Sequence, residues 1–314
     1  MHNWLLANGL SVHYVDKTQY MLVKGRMYSM EQTMEFKLSM GDHQIERTKS
    51  YTYLGIEIDD TLTWKTQINT MCKKLANICG VISKVRHYLD RKCLMVIYNS
   101  LFDSCLRYGI LGWGTASEQE LSRLRVLQNR CVRFITFSKF RTRVAPLYSE
   151  LKIVPLKEQF FLQKCIFMHS FHYDNLPFVF NAYCHQPQHS YPTRYATSGN
   201  YVLPRAVTNR GQSSIKYSGP KAWAEVPTQI KNVAFRKPFS KKLKDHMLIL
   251  LFEELPPQTS PSTGNQEDSP LEGLHFLFLD HSGNETFYGF DNSETSDLQT
   301  IFSTDDNVDE FYGF

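Results

Sequence analysis

The sequence lacks the features of membrane and secreted proteins. No stretch of its 314 residues approaches the ~20 consecutive apolar residues that a membrane-spanning helix needs. The first residues, MHNWLLANGL, have neither the basic flank nor the long apolar stretch of a signal peptide. We therefore expect an intracellular protein, in the nucleus or the cytoplasm, without a membrane partner.

Paired cysteines and phosphate-binding loops are also missing. The seven cysteines are scattered without a C-x-x-C pair, which predicts reduced thiols rather than a disulfide framework. All except Cys184 lie in apolar helical patterns, where a thiol behaves as a small hydrophobic group. The SGPKAW segment around Gly219 lacks the spacing of a nucleotide-binding loop. These spacings predict no nucleophilic enzyme.

Basic residues are absent from one end of the chain. Residues 253–314 contain fourteen Asp and Glu and no Lys or Arg, whereas residues 1–252 contain 35 basic and 17 acidic residues, a net charge of +18. This segmental excess favours a polyanionic partner such as nucleic acid, although a solvated surface is the alternative. The LPPQTSPSTGNQEDSP segment predicts that the acidic tail is disordered.

Residue periodicity predicts a mainly α fold with a small N-terminal α/β part. EFKLSM and YTYLGIEI alternate apolar and polar residues, which predicts one strand each, and the period becomes helical from Trp64. Residues 185–235 are rich in Pro, Gly, Ser and Asn and predict irregular chain. The expected segments are a sheet-containing part at 1–60, a helical domain at 61–150, a mostly helical region at 151–252 and the tail at 253–314.

Local capping signals predict where the helices begin and end. Asp90 is a favourable N-cap for a helix that stops near Gly109. Ser117 and Glu120 have the spacing of a capping box, and a further helix follows Pro155. KPFSKKLKDHMLILL predicts a last amphipathic helix.

Two adjacent acids, Asp59 and Asp60, follow the apolar run YLGIEI. Polymerases and nucleases hold divalent metals with paired carboxylates, but two-metal chemistry needs carboxylates that converge from separate strands. Adjacent strand residues point to opposite faces of a sheet. We therefore interpret the pair as a strand end that turns into a helix cap, and we predict no catalytic residue there.

A zinc site is the other candidate for metal chemistry. Its possible ligands are Cys165, His169, His172, Cys184, His185 and His189. Their spacing matches no closed arrangement of zinc ligands, so core or surface histidines are the preferred interpretation. We predict no metal ligand in this chain.

Several ordered motifs resemble the reverse transcriptases of non-LTR (long interspersed, jockey-like) retrotransposons. YTYLGIEIDDTLTWKTQI is similar to their YLG-x-x-ID-x-x-LTW segment, where the palm passes into the thumb. RHYLDRKCLMVIYNSLFDSCLRYGILGWGTA is similar to their thumb domain, and LQNRCVRFIT to the helix beyond it. NWLLANGLSVHYVDKTQYMLV resembles the palm segment after the catalytic hairpin, and HSYPTRYATSGNYVLPRAVTNRGQSSIKYSGPKAW a segment near the end of the reading frame. The resemblance extends over about residues 3–250.

The resemblance implies a partial palm with a primer-grip-like strand, a helical thumb and a helical C-terminal region. The metal-binding Asp-Asp pair of those enzymes lies upstream of the resembling segment, so Mg would belong to a missing palm and this chain would carry no cofactor. We expect a fragment or remnant of an RNA-directed DNA polymerase, inactive unless a palm is supplied elsewhere. The resemblance also places Lys17 near the incoming nucleotide, with a simple turn lysine as the alternative.

On this interpretation, basic helix faces and nearby aromatic residues would hold RNA or an RNA/DNA duplex by its backbone. The candidate nucleic-acid-binding residues are Lys17, Tyr53, Leu54, Gly55, Trp64, Lys73, Lys84, Arg86, Arg123, Arg130, Arg133, Lys241 and Lys242. Ordinary solvated helix faces are the alternative.

The acidic tail repeats the tetrapeptide FYGF at 287–290 and 311–314. Two copies would raise the avidity for a folded partner, which would make the chain a non-enzymatic interaction protein. The candidate partner-docking residues are Phe287, Tyr288, Phe290, Phe311, Tyr312 and Phe314. A chance repeat, or an acidic tail that folds back on the basic body, is the alternative.

Overall fold

The computed structural model describes residues 2–10, 13, 18–23, 37–40, 43–187, 195, 198–253, 276–279 and 285–288. The chain forms two compact units, Met1–Pro257 and Gln258–Phe314. Helices predominate in the described residues, and short strands lie near the N-terminus. The prediction of a mainly α fold with a small strand-containing part is confirmed at this level.

The N-terminal part contains one short helix and three small strand pairs. Helix α1 spans His2–Ala7 and ends in a turn at Gly9, whose φ is +66°. The strands are β1 (Gln19–Tyr20), β2 (Ser39–Met40), β3 (His43–Gln44), β4 (Glu46–Arg47), β5 (Ser50–Tyr53) and β6 (Ile56–Asp59). β1 pairs in parallel with β4, whereas β2 with β3 and β5 with β6 are antiparallel. No larger sheet forms among the described residues.

The predicted single strand YTYLGIEI is instead the hairpin β5–β6. Ser50 pairs with Asp59 and Tyr53 with Ile56, so the connection is the two-residue turn Leu54-Gly55. Both turn residues have positive φ, +49° and +74°, which suits the twist of a tight hairpin. The one-strand prediction was wrong because alternation of apolar and polar residues continues through a two-residue turn.

A helical bundle follows the hairpin and encloses the first hydrophobic cluster. Its helices are α2 (Lys65–Val85), α3 (Arg91–Ile97), α4 (Ser104–Arg107), α5 (Ile110–Trp113), α6 (Glu118–Ile135) and α7 (Ala145–Glu150), with a π-helical segment at Tyr98–Asp103 between α3 and α4. Ile68, Phe102 and Trp113 are fully buried in this cluster.

The predicted helix caps of the bundle are confirmed. The Asp90 side chain accepts a hydrogen bond from the Cys93 backbone N–H (2.9 Å), and Ser117 Oγ accepts one from the Glu120 backbone N–H (3.4 Å). Each satisfies one of the free N–H groups of a first helical turn. Gly109 follows the helical run with a φ of +64°, as the expected stop.

A second hydrophobic cluster forms in the C-terminal part of the same unit. Its helices are α8 (Leu156–His172), α9 (Asn209–Ser213), α10 (Ile215–Glu225), α11 (Thr228–Lys231) and α12 (Arg236–Glu253), with a 3-10 turn at Phe178–Phe180. Trp223 and Phe239 are fully buried at its centre. Helix α8 serves both clusters, since Leu156 belongs to the first and Leu162 to the second.

Residues 185–235 are more regular than expected, because three short helices lie within them. Pro220 is inside α10, preceded by Gly219. A Cβ at Gly219 would lie 2.9 Å from Met168 Sδ, so glycine permits α10 to approach α8 closely. Burial of Ala222 and Trp223 stabilises this helix although its sequence carries loop-forming residues.

In the second unit, β7 (Phe276–Leu279) pairs antiparallel with β8 (Glu285–Tyr288). These two strands differ from the expectation of a disordered tail. HFLFL and ETFY are rich in strand-forming residues, and the turn-forming sequence HSGN lies between them. The prediction of disorder used the composition of the whole tail, in which these two short segments carry little weight.

Gly109→Ala should destabilise the junction between hairpin and bundle. An alanine there would hold a positive φ, and its Cβ would collide with Ile56 Cδ1 of β6. We expect the free energy of unfolding to fall by about 2 kcal/mol in denaturant titrations. Gly80→Ala in the middle of α2 is the control, because its Cβ would meet nothing within 4 Å. That change should raise stability by roughly 0.5–1 kcal/mol, and equal losses in the two variants would contradict the expectation.

Candidate nucleic-acid interface

Asp59 organises the turn that joins the hairpin to α2. Its Oδ2 accepts hydrogen bonds from the hydroxyls of Thr61 and Thr63, each at 2.6 Å, and from the Thr63 backbone N–H at 2.9 Å. Its Oδ1 accepts one from the Trp64 backbone N–H at 3.0 Å. Four donors from three residues thus converge on one carboxylate immediately before the helix.

The electrostatics of Asp59 match its role as the hydrogen-bond acceptor of this turn. Partial burial alone would raise the pKa of the carboxyl, but hydrogen bonds from Thr61, Thr63 and Trp64 outweigh it and lower the pKa to about 2. Asp60 makes no side-chain hydrogen bond in the described part of the chain. Within those residues, no group of three His, Cys, Asp or Glu side chains could hold a metal ion. Asp59 is a strand end, as predicted, but it organises the turn before α2 and provides no cap to the helix itself, whose N-cap residue is Trp64.

The histidines considered for zinc are packed as core and surface groups. His169 is fully buried, its Nε2 is 2.7 Å from the Val233 carbonyl, and its ring stacks on Phe239. His172 Nδ1 lies 2.9 Å from the Tyr201 hydroxyl. His189 lies outside the described residues.

Two cysteines differ from their expected environments. Cys93 is exposed in the first turn of α3, although it falls within an apolar pattern. Cys184 is buried in the second cluster, and this burial raises the pKa of its thiol to about 11. Cys184 lies outside regular helix, where periodicity carries no signal.

The YLG residues form the tip of the β5–β6 hairpin. Tyr53 and Leu54 are 61% and 70% exposed, and the Tyr108 hydroxyl donates a hydrogen bond to the Leu54 carbonyl (2.5 Å). Gly55 completes the turn. Trp64 is instead half-buried, and its indole N–H donates to Thr115 Oγ1 (3.1 Å). Trp64 therefore anchors the start of α2 to the turn after α5, and Tyr53 is exposed to solvent.

The basic residues of α2 and α6 differ in whether they bind other residues of the fold. Lys73 and Lys84 are exposed on the outer face of α2, and neither forms an ion pair in the described structure. Arg123 is committed within the fold, because its Nη1 donates to Asn69 Oδ1 (2.6 Å) and pairs with Glu120 (2.7 Å). The predicted residues do not form one continuous track.

The ends of α2 and α6 bring three predicted arginines together with three phenylalanines. We call this set, Arg86, Arg130, Arg133, Phe134, Phe137 and Phe140, the basic–aromatic surface. The Arg86 guanidinium lies 5.5 Å from the ring centre of Phe134 and 5.1 Å from that of Phe137. Arg130 also lies over Phe134, at 5.8 Å.

The loop after α6 presents the aromatic rings of this surface to solvent. Arg133 donates from Nε and Nη2 to the Thr142 carbonyl, both at 3.1 Å, and its guanidinium lies 5.8 Å from the Phe140 ring centre. Phe137 and Phe140 are 56% and 79% exposed. Exposed rings stack on unpaired bases, and guanidinium groups pair with phosphates. The three phenylalanines were missed, although RFITFSKFRTR alternates aromatic and basic residues.

The other predicted site residues lie elsewhere. Lys241 and Lys242 are exposed on α12. Phe287 and Tyr288 belong to β8. The positions of Lys17, Phe290, Phe311, Tyr312 and Phe314 lie outside the described residues.

The sequence is similar to RNA-directed DNA polymerases from Drosophila melanogaster mobile elements. It is 29% identical over 126 residues to the enzyme from mobile element jockey, which is 39% of this chain. The identity is 27% over 121 residues, or 37% of the chain, for the probable RNA-directed DNA polymerase from transposon BS, and 28% over 111 residues, or 34%, for that from transposon X-element. The predicted resemblance to non-LTR reverse transcriptases is confirmed.

The matched segment is a small part of each relative. It amounts to 14% of the jockey protein, 13% of the BS protein and 12% of the X-element protein. No protein-family model matches the sequence, and no solved structure is significantly similar to it. In the described residues, every helix is too short or too polar to cross a membrane.

Asp59→Ala should destabilise the folded chain in a pH-dependent way. At neutral pH we expect a loss of about 1–2 kcal/mol, because four donors lose a charged acceptor. The pKa of Asp59 is lowered from 3.8 to about 2 in the folded state, so its contribution is fully present above pH 3.8 and disappears as the pH falls to 2. Urea titrations between pH 7 and pH 2 should show the unfolding free energies of wild type and variant becoming equal as the pH falls.

Asp60→Ala is the matched control for that measurement. It removes a neighbouring carboxylate that makes no side-chain hydrogen bond within the described residues, so stability should change by less than about 0.5 kcal/mol. Equal destabilisation by the two substitutions would disprove the role of Asp59 in organising this turn.

Proposed function

We propose that this chain is a reverse-transcriptase-related protein that binds nucleic acid and does not itself polymerise it. The observation that carries the proposal is the basic–aromatic surface. Arg86 and Arg130 both lie over Phe134 at the ends of α2 and α6, and Arg133 lies over Phe140 while it donates to the Thr142 carbonyl. Phe137 and Phe140 expose more than half of their surface. Similarity to RNA-directed DNA polymerases over 34–39% of the chain supports this interpretation.

The proposed ligand is an RNA/DNA duplex or structured RNA with an unpaired segment. Guanidinium groups such as that of Arg86 would pair with phosphates, which gives affinity without strong sequence preference. The faces of Phe137 and Phe140 would stack on bases beyond the paired region. Lys73 and Lys84 on α2 would add attraction to the same backbone.

Polymerase chemistry would require carboxylates that this part of the chain does not assemble. Asp59 already accepts four hydrogen bonds in the turn before α2. Asp60 is its sequence neighbour at a strand end, which is not the converging geometry of a two-metal site. Catalysis, where it occurs, would therefore need a palm from a longer polypeptide or another chain.

The duplicated FYGF motif supports a second, separate proposal of partner docking. Substituting alanine for Phe287 and Phe311 together should remove a protein partner from a pull-down with the full chain, because both copies lose their first ring. An unchanged set of partners would contradict docking through this motif.

The full chain should bind a fluorescent RNA/DNA duplex that carries a single-stranded overhang, with a dissociation constant that rises steeply with salt. The double substitution Phe137→Ala and Phe140→Ala should raise that dissociation constant roughly tenfold or more, since stacking contributes about 1–3 kcal/mol per base. Binding to the same duplex with blunt ends should change little. Fluorescence anisotropy at several KCl concentrations measures both.

Phe178→Ala with Val207→Ala is the control pair, because these two apolar side chains are 82% and 81% exposed and belong to neither the basic–aromatic surface nor the segments around it. They should leave binding unchanged. Weakening by both pairs, or equal effects of the first pair on overhang and blunt probes, would argue against base stacking at this surface. A wild-type chain that binds neither probe near physiological salt would refute the proposed function.

A further inference from the structure

A second basic surface is built from residues that do not belong to the basic–aromatic surface. A groove of about 640 Å³ runs between the π-helical segment, α8 and α12. Buried side chains such as Tyr98, Val154 and Leu162 form its apolar floor. Six cationic residues line it: Arg107, Lys152, Arg236, Lys237, Lys241 and Lys244. Its volume falls within the range of ligand-binding clefts, roughly 300–1,000 Å³.

The groove carries a large excess of positive charge. Asp103 is its one lining carboxylate, and it pairs with Arg107 at 2.9 Å. Burial raises the pKa of Asp103, whereas Arg107 and Lys244 lower it. None of the other five lining cations forms an ion pair in the part of the chain that the structure describes. Like charges above an apolar floor focus the field on whatever occupies the groove.

Lys152 adopts a backbone conformation that is unfavourable for lysine. It follows α7 with a φ of +53°, the left-handed region where glycine is usual. The backbone N–H of Ile153 donates to the Tyr148 carbonyl (2.9 Å), so the turn is a regular helix stop that glycine would complete with less strain. The turn itself gives no reason for a lysine at position 152, whereas a positive charge at the groove does.

The cations are arranged in a row rather than around one point. From Arg236 to Lys244, α12 places four lining cations along about 12 Å of helix, at 1.5 Å per residue. Phosphates along one strand of a duplex are spaced by about 3.4 Å of axial rise. A polymer with repeated phosphates can pair with such a row, whereas a single phosphate can reach only part of it.

We infer that this groove binds the phosphate backbone of a nucleic-acid strand. The inference rests on the proposed nucleic-acid binding and adds a second contact, from the C-terminal helices, to that of the basic–aromatic surface. Of the two α12 lysines singled out from the sequence, Lys241 lines the groove and Lys242 does not.

The test uses the full chain with Lys152→Gly, Lys237→Gln and Lys241→Gln. Lys152→Gly removes a charge and also relieves the left-handed backbone, so the thermal unfolding midpoint of that single variant should stay level or rise. The midpoint of the triple variant is measured beside its binding, so that a weakened fold is recognised as such. With fluorescent single-stranded RNA, the slope of log K against log salt should become shallower by about 2, which corresponds to three lost contacts at ~0.7 each.

The matched control is Lys65→Gln, Lys157→Gln and Lys221→Gln, which removes the same charge from exposed lysines outside both surfaces. Its salt slope should stay close to that of the wild type. Equal decreases of the salt slope in the two triple variants would overturn the inference about the groove, because binding would then depend on net charge alone. Displacement of the labelled RNA by poly-glutamate at a lower charge concentration than unlabelled RNA requires would also overturn it, in favour of an acidic protein partner.

The failure of this inference is distinguishable from failure of the proposed function. If the wild type binds RNA and the Phe137 and Phe140 substitutions weaken it, but the groove variant behaves as its control does, only the groove assignment fails. If the wild type binds no probe, both fail.

Discussion

One buried amide connects the two hydrophobic clusters. Gln128 of α6 is fully buried, and its Nε2 donates to the Tyr98 hydroxyl and to the Val154 carbonyl, both at 3.1 Å. Its Oε1 accepts from the Leu156 backbone N–H at 2.9 Å. A buried amide left without partners costs about 1–3 kcal/mol, so these bonds fix the position of α6 relative to the first turn of α8. Tyr98 and Val154 also line the basic groove, whose floor depends on the same amide.

Sequence reasoning succeeded where a few neighbouring residues decide the outcome. The caps at Asp90 and Ser117 were predictable because a cap is a contact over three residues. The β5–β6 hairpin was not, because the positive φ of Leu54 leaves no trace in an alternating pattern. The helix around Pro220 was not either, because burial against α8 outweighs the local preference of Gly-Pro for loops.

The candidate site was predictable only in part, for a similar reason. Arg86 and Arg130 were identified from helix faces, but their convergence on Phe134 depends on how α2 packs against α6. Arg123 has the same spacing as these residues and is nevertheless held by Asn69. Of the groove's cations only Lys241 was identified, because the six come from three distant segments that only the tertiary fold brings together.

The sharing of α8 has a consequence for how the molecule comes apart. One end of this helix, at Leu156, seals the bundle, and its middle, at Leu162 and Met168, packs against α10 and α12. Unfolding of either cluster would expose one side of α8 to water and remove the surface on which the other cluster rests. We therefore expect the two clusters to unfold as one cooperative unit. Proteolysis between α7 and α8 would leave both fragments with an incomplete hydrophobic core. The two clusters could become separate domains only if the sequence of α8 changed.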